Sequence, residues 1–73
     1  SAPAKRLMGL VRALAKKVDD SEDPVMRSRL VGAALLIMQQ ESMAHALADG
    51  KVVSCEDVVR VANATERALA RLK

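Results

Sequence analysis

Residues 30–38 read LVGAALLIM, and this stretch decides the fold because it is apolar on nearly every side of any helix that contains it. At about 100° per residue, its large side chains spread over most of the helical wheel. A helix that is apolar all round is buried all round. The stretch therefore predicts a central helix that other helices must cover.

The ends of this central helix are marked by capping residues. Asp23 suits an N-cap and Pro24 suits the first helical position. No helix breaker follows until Gly50, which is typical of the residue just after a helix end. The pattern predicts a helix over residues 24–49, with a length of roughly 38 Å at 1.5 Å per residue.

A shorter amphipathic helix is predicted on each side of the central one. Residues 3–18 begin with Pro3 in the first turn, and residues 55–72 follow Ser54, a candidate N-cap with Asp57 three residues later. Apolar residues recur in both segments at steps of three and four. The stripes are Leu7, Val11, Leu14 and Val18 in the first segment, and Val58, Ala62, Thr65, Leu69 and Leu72 in the second.

These segments predict an all-α fold with a single small domain, residues 1–73. Its three helices are antiparallel neighbours in a hairpin or bundle around the long central one. Chains of this size seldom stabilise one core without a disulfide, a metal or a partner. The single cysteine cannot form an internal disulfide. We therefore expect oligomerisation to complete the bundle, as a dimer or a higher assembly.

A strip along the central helix is the candidate self-association surface. Small residues at positions 28 and 32 would allow another helix to approach closely. An ordinary helix crossing within one chain is the competing interpretation. The candidate residues are Ser28, Gly32, Leu36, Gln39 and Met43.

Charge is the second candidate source of function. The chain carries 12 Lys and Arg against 9 Asp and Glu, but residues 3–18 hold no acid while residues 19–23 hold four. Such local compensation differs from the broad one-sign field of a strong nucleic-acid binder. Two cationic ridges could still contact phosphates, although each also fits the solvent face of an amphipathic helix. Their residues are Lys5, Arg12 and Lys16, and Arg60, Arg67 and Arg71.

Two further groups could bear chemistry. Glu41, His45 and Asp49 share one side of the central helix at metal-ligand spacing, although three residues on one helix rarely close on one ion and a solvated flank is the stronger interpretation. Cys55, beside Glu56 and Asp57, fits a small, half-buried and inert thiol. Enzyme motifs, phosphate loops and aromatic residues are absent from the sequence. We therefore expect no catalysis, no cofactor, no metal and no small-molecule substrate.

The sequence thus predicts a non-catalytic helical assembly module that self-associates through its central helix, with a partner protein as a further possibility. The alternative is a small oligomeric protein that binds nucleic acid through its Lys and Arg ridges. Because Glu56 and Asp57 open the third helix, a helix-turn-helix mode is disfavoured. No run of apolar residues reaches the roughly 20 needed to cross a bilayer. We expect a cytoplasmic location.

Overall fold

The fold is all-α, as the sequence predicts. A computed structural model describes residues 2–72 and leaves Ser1 and Lys73, at the two ends of the predicted domain, outside the description. The three helices are α1 (Ala2–Ala15), α2 (Pro24–Ala48) and α3 (Cys55–Ala70). Both α1 and α3 run antiparallel to α2 and pack against it.

The ends of α2 are held by local hydrogen bonds. The Asp23 side chain accepts a bond from the Met26 backbone N–H at 3.0 Å, which satisfies one of the free donors in the first turn. At the other end the N–H groups of Gly50 and Lys51 bond to the carbonyls of Leu47 and Ala46. This is a Schellman motif, and it requires the positive φ of 78° that Gly50 adopts without steric cost.

The two outer helices end earlier than the sequence predicts. α1 stops at Ala15 rather than residue 18, because Lys17 and Val18 donate to carbonyls three residues back and tighten the last turn. α3 stops at Ala70 rather than residue 72, where Leu72 makes the same kind of bond. Val18 and Leu72 nevertheless still pack in the core.

At the start of α3, the predicted N-cap at Ser54 forms. The Ser54 hydroxyl accepts from the Asp57 N–H at 3.4 Å. The Asp57 carboxylate instead lies 3.5 Å from the guanidinium of Arg60, three residues further along the helix.

The core is small and lies where α1 and α3 meet the first half of α2. Val11, Leu30, Ala33, Ala34 and Leu72 form its buried cluster. The alanines let the helices approach closely, and Leu30 is completely inaccessible to solvent. Within residues 2–72, Leu30 is the only large side chain sealed to that degree. Such a core provides little apolar burial for the number of residues that it must order.

The buried face of α3 is rotated from the predicted one. Val61, Thr65 and Leu72 are buried and Ala68 packs against the core, whereas the predicted stripe residue Leu69 is partly exposed. The buried Thr65 hydroxyl donates to the Val61 carbonyl at 2.7 Å, which satisfies it inside the helix. The predicted stripe thus contains Thr65 and Leu72 of the buried face but not Val61 or Ala68. The prediction is partly wrong because alanine and threonine leave the apolar side of α3 weakly defined.

The molecule is an open slab. Its dimensions are 40 × 27 × 16 Å, and its radius of gyration is 13.3 Å. A compact domain of this length has a radius of gyration of about 11 Å. The long dimension matches α2, with α1 and α3 beside it. One broad side of α2 is therefore not covered by either helix.

Candidate self-association surface

An ion pair between α1 and α2 identifies the two broad faces of the slab. Arg6 donates two hydrogen bonds to the Glu41 carboxylate, one of them from Nε at 3.4 Å. The arginine lowers the pKa of Glu41, first through these bonds and also through its charge. Glu41 in turn raises the pKa of Arg6. We call the side of the slab that carries this pair the front face.

The predicted strip lies on the opposite side, the back face. At about 100° per residue, its five members fall roughly 140° to 180° around α2 from Glu41. Gly32, Leu36 and Met43 are half-buried, and Ser28 and Gln39 are exposed. Together they form a continuous line along the middle of the longest helix.

The centre of this strip is open. A Cβ added at Gly32 would meet no atom within 4 Å. The close approaches within the chain occur instead beside Ala33 and Ala34, which are fully buried. Space for another helix therefore remains at the position where a missing side chain would let it come closest.

Two large apolar side chains extend this surface. Leu35 is 51% exposed and Val25 is 59% exposed. On the wheel both lie beside Gly32, and the sequence is uncharged throughout residues 30–40. The self-association strip predicted from the sequence did not include either residue. The signal for Leu35 is already present in the apolar stretch at 30–38, whereas Val25 lies outside that stretch and its exposure is shown by the structure.

A groove between α2 and α3 borders the strip. Its volume is about 250 Å³, and its floor includes Gly32, Ala33, Leu36 and Ala68. Arg29 and Arg71 line the same groove, with Ser28. One end of the strip is thus flanked by two guanidinium groups, of which only Arg71 was a sequence candidate.

The six candidate phosphate-binding residues lie on the two outer helices and do not converge on one site. All are exposed. Lys5 and Arg12 flank Met8 and Gly9 along the surface of α1. Arg71 borders the α2–α3 groove, and Arg60 lies beside Asp57. The uncharged strip separates the two ridges.

The remaining candidate groups are also placed by the structure. Glu41 is paired with Arg6, and the charge of His45 also lowers the pKa of Glu41. Across residues 2–72, no three His, Cys, Asp or Glu side chains come together as metal ligands would. Cys55 is a free thiol at the start of α3, and it is exposed, so the prediction that it is half-buried is wrong.

Comparison with known proteins adds no relative. No known family, curated protein or solved structure matches the chain. Within the described residues, no helix combines the length and the apolar character needed to cross a membrane.

Proposed function

We propose that this chain is a non-catalytic helical assembly module that self-associates through the back face of α2. The observation that carries the proposal is the uncharged strip at the middle of the longest helix, open at Gly32 and bordered by half-exposed leucine and valine. Contiguous exposed apolar surface of this kind is typical of interaction sites. The mechanism is burial of aliphatic helix surface between chains.

The accessible area supports a partner of about this size. The chain exposes 5392 Å². A compact monomer of 7.8 kDa exposes about 4,400 Å². The excess of about 1,000 Å² is close to the roughly 800 Å² that each partner buries in a standard stable interface. A second copy would therefore bring the exposed area per chain back to an ordinary value.

The small core supports the same proposal. The single cysteine leaves the chain without an internal disulfide, and one sealed leucine anchors the interior. Oligomerisation is a common way for domains below about 70–80 residues to gain stability. We also propose a cytoplasmic location, where an exposed lone thiol such as Cys55 stays reduced.

Two matched substitutions test the surface. Leu35 on α2 is 51% exposed, and Val59 on α3 is 57% exposed. Val59 points about 120° to 160° away from the buried Thr65 and Val61, so it lies on the outer side of α3 and away from the strip. We expect Leu35→Gln to weaken self-association at least about tenfold, a loss of roughly 1.4 kcal/mol. Val59→Gln should leave it nearly unchanged. Sedimentation equilibrium over a concentration series measures both.

The pair of variants also controls for folding. Both side chains are more than half exposed, so circular dichroism should show the helical content of the wild type in each case. A wild-type chain that stays monomeric at high concentration would overturn the proposal. Equal association of the two variants would show that the back face of α2 is not the interface.

The alternative function is nucleic-acid binding by an oligomer. The observation in its favour is that all six cations of the two ridges are exposed. Phosphate contacts would make binding fall steeply with salt. A mobility-shift titration at about 50 and 200 mM salt tests this alternative, and absence of a shift at the lower concentration would remove it.

A further inference from the structure

The elements that flank the strip change sign along their length. α1 carries Lys5 and Arg6 near its start and contains no acid. Glu41 balances the charge of Arg6, which leaves Lys5, among the described residues, as the free cation there. After Lys16 and Lys17, the linker that follows α1 carries four exposed acids and is net acidic; they are Asp19, Asp20, Glu22 and Asp23. One flank of the slab is therefore basic at one end and acidic at the other.

The other flank changes sign in the opposite sense. α3 opens with Glu56 and Asp57 in its first turn, which Arg60 only partly offsets, and ends with Arg67 and Arg71. Since α1 and α3 are both antiparallel to α2, they run parallel to each other. The basic start of α1 and the acidic start of α3 share one end of the slab. The acidic linker and the basic end of α3 share the other.

The four corners of the slab thus alternate in sign. A two-fold rotation about an axis in the plane of the back face, along or across α2, carries each corner onto an adjacent one. Adjacent corners have opposite charge, so a second copy meets complementary charge at all four in either alignment. A uniformly anionic partner, such as a nucleic acid or an acidic helix, would instead meet like charge at two corners.

We infer that these four corners select a second copy of this chain as the occupant of the strip and align it in two-fold pairing. This inference rests on the proposed function and adds the partner and its specificity. Exposed ion pairs contribute little to affinity individually, but like-charge placement penalises wrong partners and wrong registers. Pairing at the corners should therefore be sensitive to salt and to charge reversal.

Charge reversal at single corners tests the inference. Asp20→Lys changes the linker corner, Lys5→Glu the α1 corner and Arg71→Glu the end of α3. Each should weaken homotypic association roughly three- to tenfold at about 50 mM salt, because a two-fold pair repeats the repulsion. Asn63→Lys, which adds an exposed charge midway along α3, is the control and should have little effect. Circular dichroism checks that every variant is helical.

Mixing the variants then identifies the alignment. If α2 pairs antiparallel, the linker corner faces the α1 corner, and a mixture of Asp20→Lys with Lys5→Glu recovers wild-type affinity. If α2 pairs parallel, the mixture of Asp20→Lys with Arg71→Glu recovers it. Recovery in neither mixture, or reversals no more harmful than the control, overturns the inference while leaving self-association intact. A wild-type chain that is monomeric at low and high salt overturns the proposed function and this inference together.

Discussion

At the scale of single residues, the three glycines occupy different physical situations. Gly50 has a φ of +78° and ends α2, so a side chain there would be strained. Gly9 and Gly32 lie inside helices, and a Cβ at either would meet no atom within 4 Å. Glycine costs a helix interior up to about 1 kcal/mol relative to alanine. The separate chain thus gains nothing sterically from the absence of a side chain at Gly9 or Gly32.

Gly32→Ala and Gly9→Ala should consequently separate stability from association. Each should raise the free energy of unfolding of the dilute chain by about 0.5 to 1 kcal/mol, measured by urea denaturation. Gly32→Ala should also weaken self-association, because its methyl group occupies the point of closest helix approach, while Gly9→Ala should not. If both variants associate as tightly as the wild type, the prediction that a second chain approaches α2 most closely at Gly32 is wrong.

At the scale of the elements, α1 depends on few contacts to stay on α2. Its stripe of leucines and valines packs against the core, and Arg6 bonds to Glu41 nearer the other end of α2. These two residues are separated by 35 positions, so no local pattern in the sequence connects them. The pair adds a polar contact between α1 and α2 outside the apolar core.

This ion pair makes the docking of α1 dependent on pH. The folded-state pKa of Glu41 lies below its ordinary value, which is about 4.3. The contribution of ionised Glu41 to the free energy of unfolding is therefore complete at pH values above the pKa of the unfolded state. It is lost as the pH falls through the lowered pKa of the folded state. We expect Glu41→Gln to be less stable than the wild type at pH 7, and the difference to shrink below about pH 4.

Thermal unfolding monitored by circular dichroism at a series of pH values measures this difference. Glu66→Gln is the matched control, since Glu66 is an exposed glutamate on α3. It should show no comparable gap at pH 7. A Glu41→Gln gap that persists unchanged at pH 3 would contradict the assignment to the ion pair.

At the scale of the whole molecule, the slab has a small core and a large surface. Its radius of gyration and its accessible area both exceed those of a compact domain of the same size. If the chain self-associates as proposed, folding and assembly are linked, because any partner that binds only the folded chain shifts the unfolding equilibrium. Stability should therefore belong in part to the assembly.

The melting temperature should accordingly rise with protein concentration. Scanning calorimetry over about a hundredfold range of concentration measures the trend, which follows from mass action. Leu35→Gln should flatten this trend and Val59→Gln should not. A wild-type melting temperature that is independent of concentration would show that the single chain supplies all of its own stability.

The sequence by itself determined what depends on neighbouring residues: three helices, the caps at Asp23, Ser54 and Gly50, and a helix apolar beyond what two short neighbours can cover. Capping, turn conformation and apolar periodicity depend on residues a few positions apart, and they can therefore be predicted from the sequence. Only the tertiary structure decided which faces remained open. The rotation of α3 onto Val61 and Ala68, the pairing of Arg6 with Glu41 and the exposure of Leu35 depend on contacts between distant segments. Several rotations of a weakly amphipathic helix bury similar area, so packing selects among them.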